Sequence, residues 1–144
     1  MQGNTEDIVT KLKYEEEIKK LAYDFENFSE QERIAYRWVH QNIDDPRNFI
    51  PRPCIKKNYE VKDFTDWGIS LFNTEENAIK RLQNYTQDKP MLYKVLGSCI
   101  AKGNLKKMHG ICDIPAKSGH FNLMEYKEVN LRPEFEIIKI VCNG

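Results

Sequence analysis

Residues 29–45 read SEQERIAYRWVHQNIDD. Ser29 is followed three residues later by Glu32, the spacing at which each side chain satisfies an orphan amide at a helix start. Ile34, Ala35, Trp38, Val39 and Ile43 then gather on one helical face. Asp44-Asp45-Pro46 ends the run, because proline disfavours helical geometry in the residue before it. This spacing predicts a helix. Upstream, Ile8, Leu12, Ile18, Leu21, Phe25 and Phe28 are mostly three or four residues apart among Lys and Glu, which extends the helical expectation over 5–45. The alternation of Ile8, Thr10, Leu12 and Tyr14 offers an alternative, a short strand leading into a helix from about Tyr14, and the helix after Tyr14 is common to both readings.

Downstream, Pro51 and Pro53 imply an irregular connector over 46–68. Asp66-Trp67-Gly68 reads as a turn into a short strand, Ile69 to Phe72. Asn73 or Thr74 then caps a helix through about Tyr85, with Ala78, Ile79 and Leu82 inward. Met91 to Ala101 is apolar enough for a central strand, and Lys102-Gly103-Asn104 is a turn signal before a second strand around Met108 to Ile114, which suggests a hairpin. Phe121 to Tyr126 reads as a short strand. Glu134 to Cys142 carries apolar groups on both faces and is expected to be central. These elements describe an α+β fold, N-terminal helices packed on a mainly antiparallel sheet of about four to five strands, within one domain spanning 1–144.

Length and charge narrow the function classes. The chain has 144 residues, 40% hydrophobic and 31% charged, enough for a core without disulfides or metal. Lys+Arg and Asp+Glu are both 22, so no global charge draws the chain to nucleic acid or membrane. Locally the charges segregate. Residues 1–32 carry a net charge of −5, residues 46–62 of +4, and residues 89–120 of +5. There is no apolar run of the roughly 20 residues a membrane helix needs, and Met1 to Asp7 lacks the pattern of a secretory signal, so a cytoplasmic location is expected. Cys54, Cys99, Cys112 and Cys142 are widely spaced, which favours reduced thiols.

Specific catalytic spacings are sparse. His109 and Cys112 form an H-x-x-C pair with His120 eight residues on, but a second closely spaced pair is missing and no metal is expected. Cys99 and Cys142 read as core thiols, and Cys54, between Pro53 and the basic Lys56 and Lys57, as the most reactive if exposed. No phosphate loop or dinucleotide glycine motif is present. His120 ends the expected loop Lys117-Ser118-Gly119, where it can exchange protons near neutral pH with Glu125 orienting it or acting beside it.

Tyr36-Arg37, Ile69-Ser70-Leu71-Phe72 and Glu125 follow one another along the chain. That order resembles the ADP-ribosyltransferases, in which an early Arg, a middle Ser or Thr on a strand and a late Glu surround a nicotinamide nucleotide. The rival reading is a small enzyme acting on a nucleotide or other anionic substrate, with Arg37, Ser70, His120 and Glu125 as positioning, polar and acid–base groups, of which the resemblance implies Arg37, Ser70 and Glu125. Two features depart from the family: it has its Arg on a strand, whereas the helix expected here carries Arg37 mid-helix, and Glu125 lacks the usual neighbouring Gln or Glu.

With catalytic spacings absent and charge segregated, the leading expectation is a small intracellular interaction module without a cofactor. Its partner is another protein, with nucleic acid as the alternative and no membrane. The binding residues expected are Arg47, Arg52, Lys56, Lys57, Tyr59 and Trp67.

Overall fold

A computed structural model describes residues 8–142. The fold is α+β. Six strands, β1 Arg33–Val39, β2 Ile69–Phe72, β3 Cys99–Leu105, β4 Gly110–Cys112, β5 His120–Glu125 and β6 Phe135–Ile140, form one antiparallel sheet in the order β4-β5-β2-β1-β3-β6. Helices are few: α1 Glu15–Lys19, α2 Arg52–Ile55, α3 Glu75–Thr86 and α4 Tyr93–Leu96.

The stretch expected to be the best-marked helix is instead β1, an inner strand. Ile, Tyr, Trp and Val are residues that suit a pleated, two-sided environment. Ala35 and Val39 pack on one face with Ile69, Leu71, Cys99 and Ala101. Tyr36 and Trp38 pack on the other with Phe72, Ala78, Leu82 and Ile100. Apolar residues on both faces of a strand reproduce the spacing of a helical stripe. Ser29 caps nothing. It exchanges backbone hydrogen bonds with Cys112, at 2.9 and 2.8 Å, and so adds a rung beside the edge strand β4.

Of the helix expected upstream, α1 is a five-residue piece, and residues 5–7 lie outside the described residues. The strand alternative is met only as a bridge between Leu12 and Tyr126. The junction at 69–86 forms as read, with Thr74 Oγ1 accepting a hydrogen bond from the Asn77 amide at 3.0 Å. The expected hairpin does not form, because Lys102-Gly103-Asn104 lies inside β3 and pairs with β1. The chain then crosses to β4 at the opposite edge. Residues 90–96 coil rather than extend. Gly97, at φ +110°, ends that coil where an added Cβ would stand 2.8 Å from the Val39 carbonyl oxygen. The last strand, β6, is an edge strand paired only with β3, which leaves Ile138 and Ile140 exposed. Six strands exceed the four to five expected because 29–45 supplies one of them.

Two features of this sheet create the site. β1 pairs with β3 along seven residues, from Arg33 opposite Leu105 to Val39 opposite Cys99. Against β2 it shares the single register pair Tyr36 and Phe72. The sheet therefore parts between β1 and β2, and the connector between these strands folds along the gap. Among the described residues no helix is long and apolar enough to cross a membrane.

Candidate functional site

The parting opens a cleft of about 680 Å³, within the range of small-molecule sites. Arg37 spans it from β1. Its Nε donates to the Asn48 carbonyl at 2.5 Å and its Nη1 to the Ser70 carbonyl at 2.8 Å, so the side chain occupies space that β1 leaves as it diverges from β2. Nη2 has no hydrogen-bond partner among the described residues, and Arg37 lines the cleft. Burial pulls the Arg37 pKa down to about 10, which leaves the group cationic at neutral pH.

Ser70 of β2 is exposed to the cleft, and its hydroxyl makes no hydrogen bond among the described residues. Beside it on β5, Asn122 is held by Asp113, whose two carboxylate oxygens accept from the Asn122 amide and side chain at 2.6 and 2.9 Å. His120, at the start of β5, meets the Phe72 ring edge-on with centroids 5.6 Å apart. Burial pulls its pKa below the usual histidine value, so at neutral pH the ring is uncharged.

The walls complete a cationic, aromatic enclosure. Arg47, Arg52 and Arg81 line it together with Arg37, against the one carboxylate of Asp66. Arg47 is paired with Asp45 at 2.8 Å, and Arg81 lies over the Tyr85 ring at 5.0 Å. The Arg52 side chain makes no hydrogen bond or ion pair among the described residues, while its carbonyl accepts from the Lys56 amide at 3.1 Å. Trp38 stacks on Phe72 at 5.2 Å and meets Tyr85 at 5.9 Å. Asn48 ties down the loop after β1: its Oδ1 accepts from the His40 amide at 2.7 Å while its Nδ2 donates to the Asn42 and Ile43 carbonyls.

Of the candidates read from sequence, Arg37, Ser70, His120, Arg47, Arg52 and Tyr59 line this one cleft. Arg37 does so from a strand, which removes the departure that a helix would have imposed. Glu125 does not line it. Five residues from His120 on one strand, Glu125 faces the other side of the sheet at a distance of about 17 Å along β5, so it cannot orient that histidine. It sits on the Arg37 side instead, where each group shifts the ionisation of the other, and it lines a second cavity of about 280 Å³. Trp67 is turned away, packed on Tyr14 at 5.4 Å, and Lys56 and Lys57 are exposed outside the cleft. His40, Asn48, Asp66, Arg81 and Asn122 were not legible as site residues. Arg81 and Tyr85, four apart on the outer side of α3, carried the one usable signal.

Elsewhere, Cys99, Cys112 and His109 are buried and structural, whereas Cys142, expected in the core, is only half-buried and Cys54 is exposed. Burial pushes the Cys112 thiol up to about 12 and raises Cys99 as well. His109 Nδ1 accepts from the Lys106 amide at 2.8 Å. Among the described residues no group of three His, Cys, Asp or Glu is placed to hold a metal ion.

The histidines give the fold a pH dependence. His40, His109 and His120 all lie below 6.5, burial being the first cause in each. The unfolded chain therefore binds their protons first, and folded stability is lost as pH falls below about 6.5 through the folded values. Glu125, raised by burial, acts in the opposite sense at lower pH, between its folded value and 4.5. The thermal midpoint is expected to fall between about pH 7 and about pH 5.5, and His109→Gln to flatten the fall. A midpoint constant over that interval contradicts the assignment.

No protein-family model, no curated protein and no solved structure matches this chain.

Proposed function

We propose that the chain is a small enzyme acting on a nicotinamide dinucleotide, similar to the ADP-ribosyltransferases. The observation that most supports this reading is Arg37. It extends from a strand, across a parted sheet, into a cleft that also receives Ser70 and His120 and is lined by four arginines and several aromatic rings. Guanidinium groups suit a pyrophosphate, and aromatic walls suit flat heterocycles. Trp38, Phe72 and Tyr85 supply such walls.

In the proposed reaction the bond between nicotinamide and ribose breaks with its electron pair leaving on the nicotinamide nitrogen. A nucleophile, water in the simplest case, bonds to the freed ribose carbon and gives up a proton to solvent. Arg37 and Arg52 hold the phosphates, and the Ser70 hydroxyl contacts the nucleotide. Incubation of the full chain with NAD, followed by chromatography for free nicotinamide, tests the reading. Release above the spontaneous rate is expected. The absence of both nicotinamide release and detectable NAD binding at millimolar concentration contradicts it.

One observation favours a second reading, a module that binds a macromolecular partner. Lys56 and Lys57 are exposed on the same connector as the unpaired Arg52. That reading expects retention on an anionic matrix that weakens steeply with salt and does not respond to NAD.

A further inference from the structure

We propose that Asn122, set in orientation by Asp113 and flanked by Ser70, reads an amino group beside a hydrogen-bond acceptor and so decides which base edge the cleft accepts. Both bases of NAD carry such an edge, the nicotinamide carboxamide and the amino side of adenine. The inference rests on reading the cleft as a nicotinamide dinucleotide site, and it names the residues that select within that class.

The register of the sheet builds the pair. Ser70 of β2 stands opposite Asn122 of β5, and Phe72 opposite His120, so these four side chains share one face. All four line the cleft, whereas Asp113 stands outside its lining. Directly opposed residues of an antiparallel pair hold their Cβ atoms about 4.5–5.5 Å apart, a gap that one planar polar edge bridges. Trp38, stacked on Phe72, and His120, edge-on to the same ring, supply faces against which a flat heterocycle rests.

Hydrogen bonding fixes which way the Asn122 amide points. Asp113 Oδ1 accepts from the Asn122 backbone amide at 2.6 Å and Oδ2 from its Nδ2 at 2.9 Å, while the Asp113 amide donates to the Asn122 carbonyl at 3.2 Å. Carboxylate oxygens only accept, so Nδ2 must face Asp113 and Oδ1 is the atom left over. Among the described residues neither Asn122 Oδ1 nor the Ser70 hydroxyl has a hydrogen-bond partner. The cleft therefore presents a fixed acceptor beside a hydroxyl that donates. An NH2 group donates to Asn122 Oδ1 while the neighbouring oxygen or ring nitrogen accepts from Ser70 Oγ. An oxo or carboxylate oxygen in place of that NH2 sets two acceptors against each other with no proton between them. Charge alone works the other way, since Arg37, Arg52 and Arg81 attract an acid. Preference for the amino compound is thus the signature of this pair.

The test measures dissociation constants on the full chain for NAD, nicotinic acid adenine dinucleotide and nicotinamide hypoxanthine dinucleotide, analogues that carry oxygen in place of NH2 at one base or the other. The native chain is expected to bind one analogue about tenfold or more weakly than NAD, and which one it is identifies the base that reaches Asn122. Asn122→Ala should bring that ratio near one. Asp113→Asn should invert it: residue 113 then keeps its oxygen on the Asn122 backbone amide, offers its NH2 to the Asn122 side chain and so turns Asn122 Nδ2 toward the cleft. Ser70→Ala loses no hydrogen bond within the protein, serves if the Asn122 variant does not fold, and should weaken NAD binding about tenfold. Native affinities within about threefold for all three dinucleotides overturn the proposal. So does a ratio that survives in folded Asn122→Ala and Asp113→Asn proteins, or an unchanged NAD affinity in Ser70→Ala. If the native chain binds no NAD, the enzyme reading fails, and amide NMR with adenosine against inosine and nicotinamide against nicotinate decides the pair by itself: no shift at Ser70 and Asn122 with either amino compound overturns it.

Discussion

Replacing Arg37 with alanine is expected to lower nicotinamide release by about a hundredfold or more, the scale on which the loss of one preorganised electrostatic donor is felt. Arg37 joins three things through one planar group: the Asn48 carbonyl, the Ser70 carbonyl and the open cleft. Lysine cannot make that fork, so Arg37→Lys should recover little. The alanine variant also leaves two carbonyls without this donor, which costs about 1–3 kcal/mol of stability, so activity is to be compared at a temperature where both proteins are folded. Arg52→Ala separates the two effects. The Arg52 side chain bonds to nothing among the described residues, so its truncation should weaken NAD binding while leaving the thermal midpoint unchanged. Full activity in a folded Arg37→Ala protein contradicts the proposed role.

The second large effect falls on stability. Phe121→Ala is expected to cost about 3–5 kcal/mol in denaturant unfolding, the range for removing a large ring from a packed core. Phe121 is fully buried, the second residue of β5 and opposite Leu71 of β2. The Arg33 guanidinium lies 4.2 Å from its ring centroid, and the buried Arg33 Nε has no hydrogen-bond partner among the described residues, so the ring face is part of what offsets that cation's burial. Truncation therefore removes packing and a charge partner together. A loss under about 1 kcal/mol contradicts this account of the core.

The residues themselves show which parts of this architecture were legible in the sequence. Ile69 to Phe72 and the helix after Thr74 declare themselves because turn, alternation and cap are all local. Residues 33–39 do not, because an inner strand with apolar groups on both faces shares its spacing with a helical stripe, and the Ser29 and Glu32 pattern tipped the reading the wrong way. What decides the matter is seven residues of pairing with β3, about seventy positions away. The same nonlocal pairing places the apolar β6 at an edge and assigns Lys102 to Asn104 to a strand interior.

The site was partly legible for a related reason. Arg37, Ser70 and His120 were visible as residue types, but their meeting depends on β1 and β2 parting after one register pair. Glu125 was visible too, yet strand alternation sets it on the face opposite His120, and its partner Lys13 lies 112 positions away in the chain. Neither Asn48 nor Asp66 carries a motif, since each enters the cleft through the loops that fold along the gap.

The most direct test of the central claim is an NMR footprint of NAD on the labelled, full chain. The account predicts shifts concentrated at Arg37, Trp38, Tyr85, His120 and Asn122, with the β6 edge unmoved. Absence of shifts at millimolar NAD, or shifts centred on Lys56 and Lys57 or on β6 while the cleft signals stay in place, would contradict it.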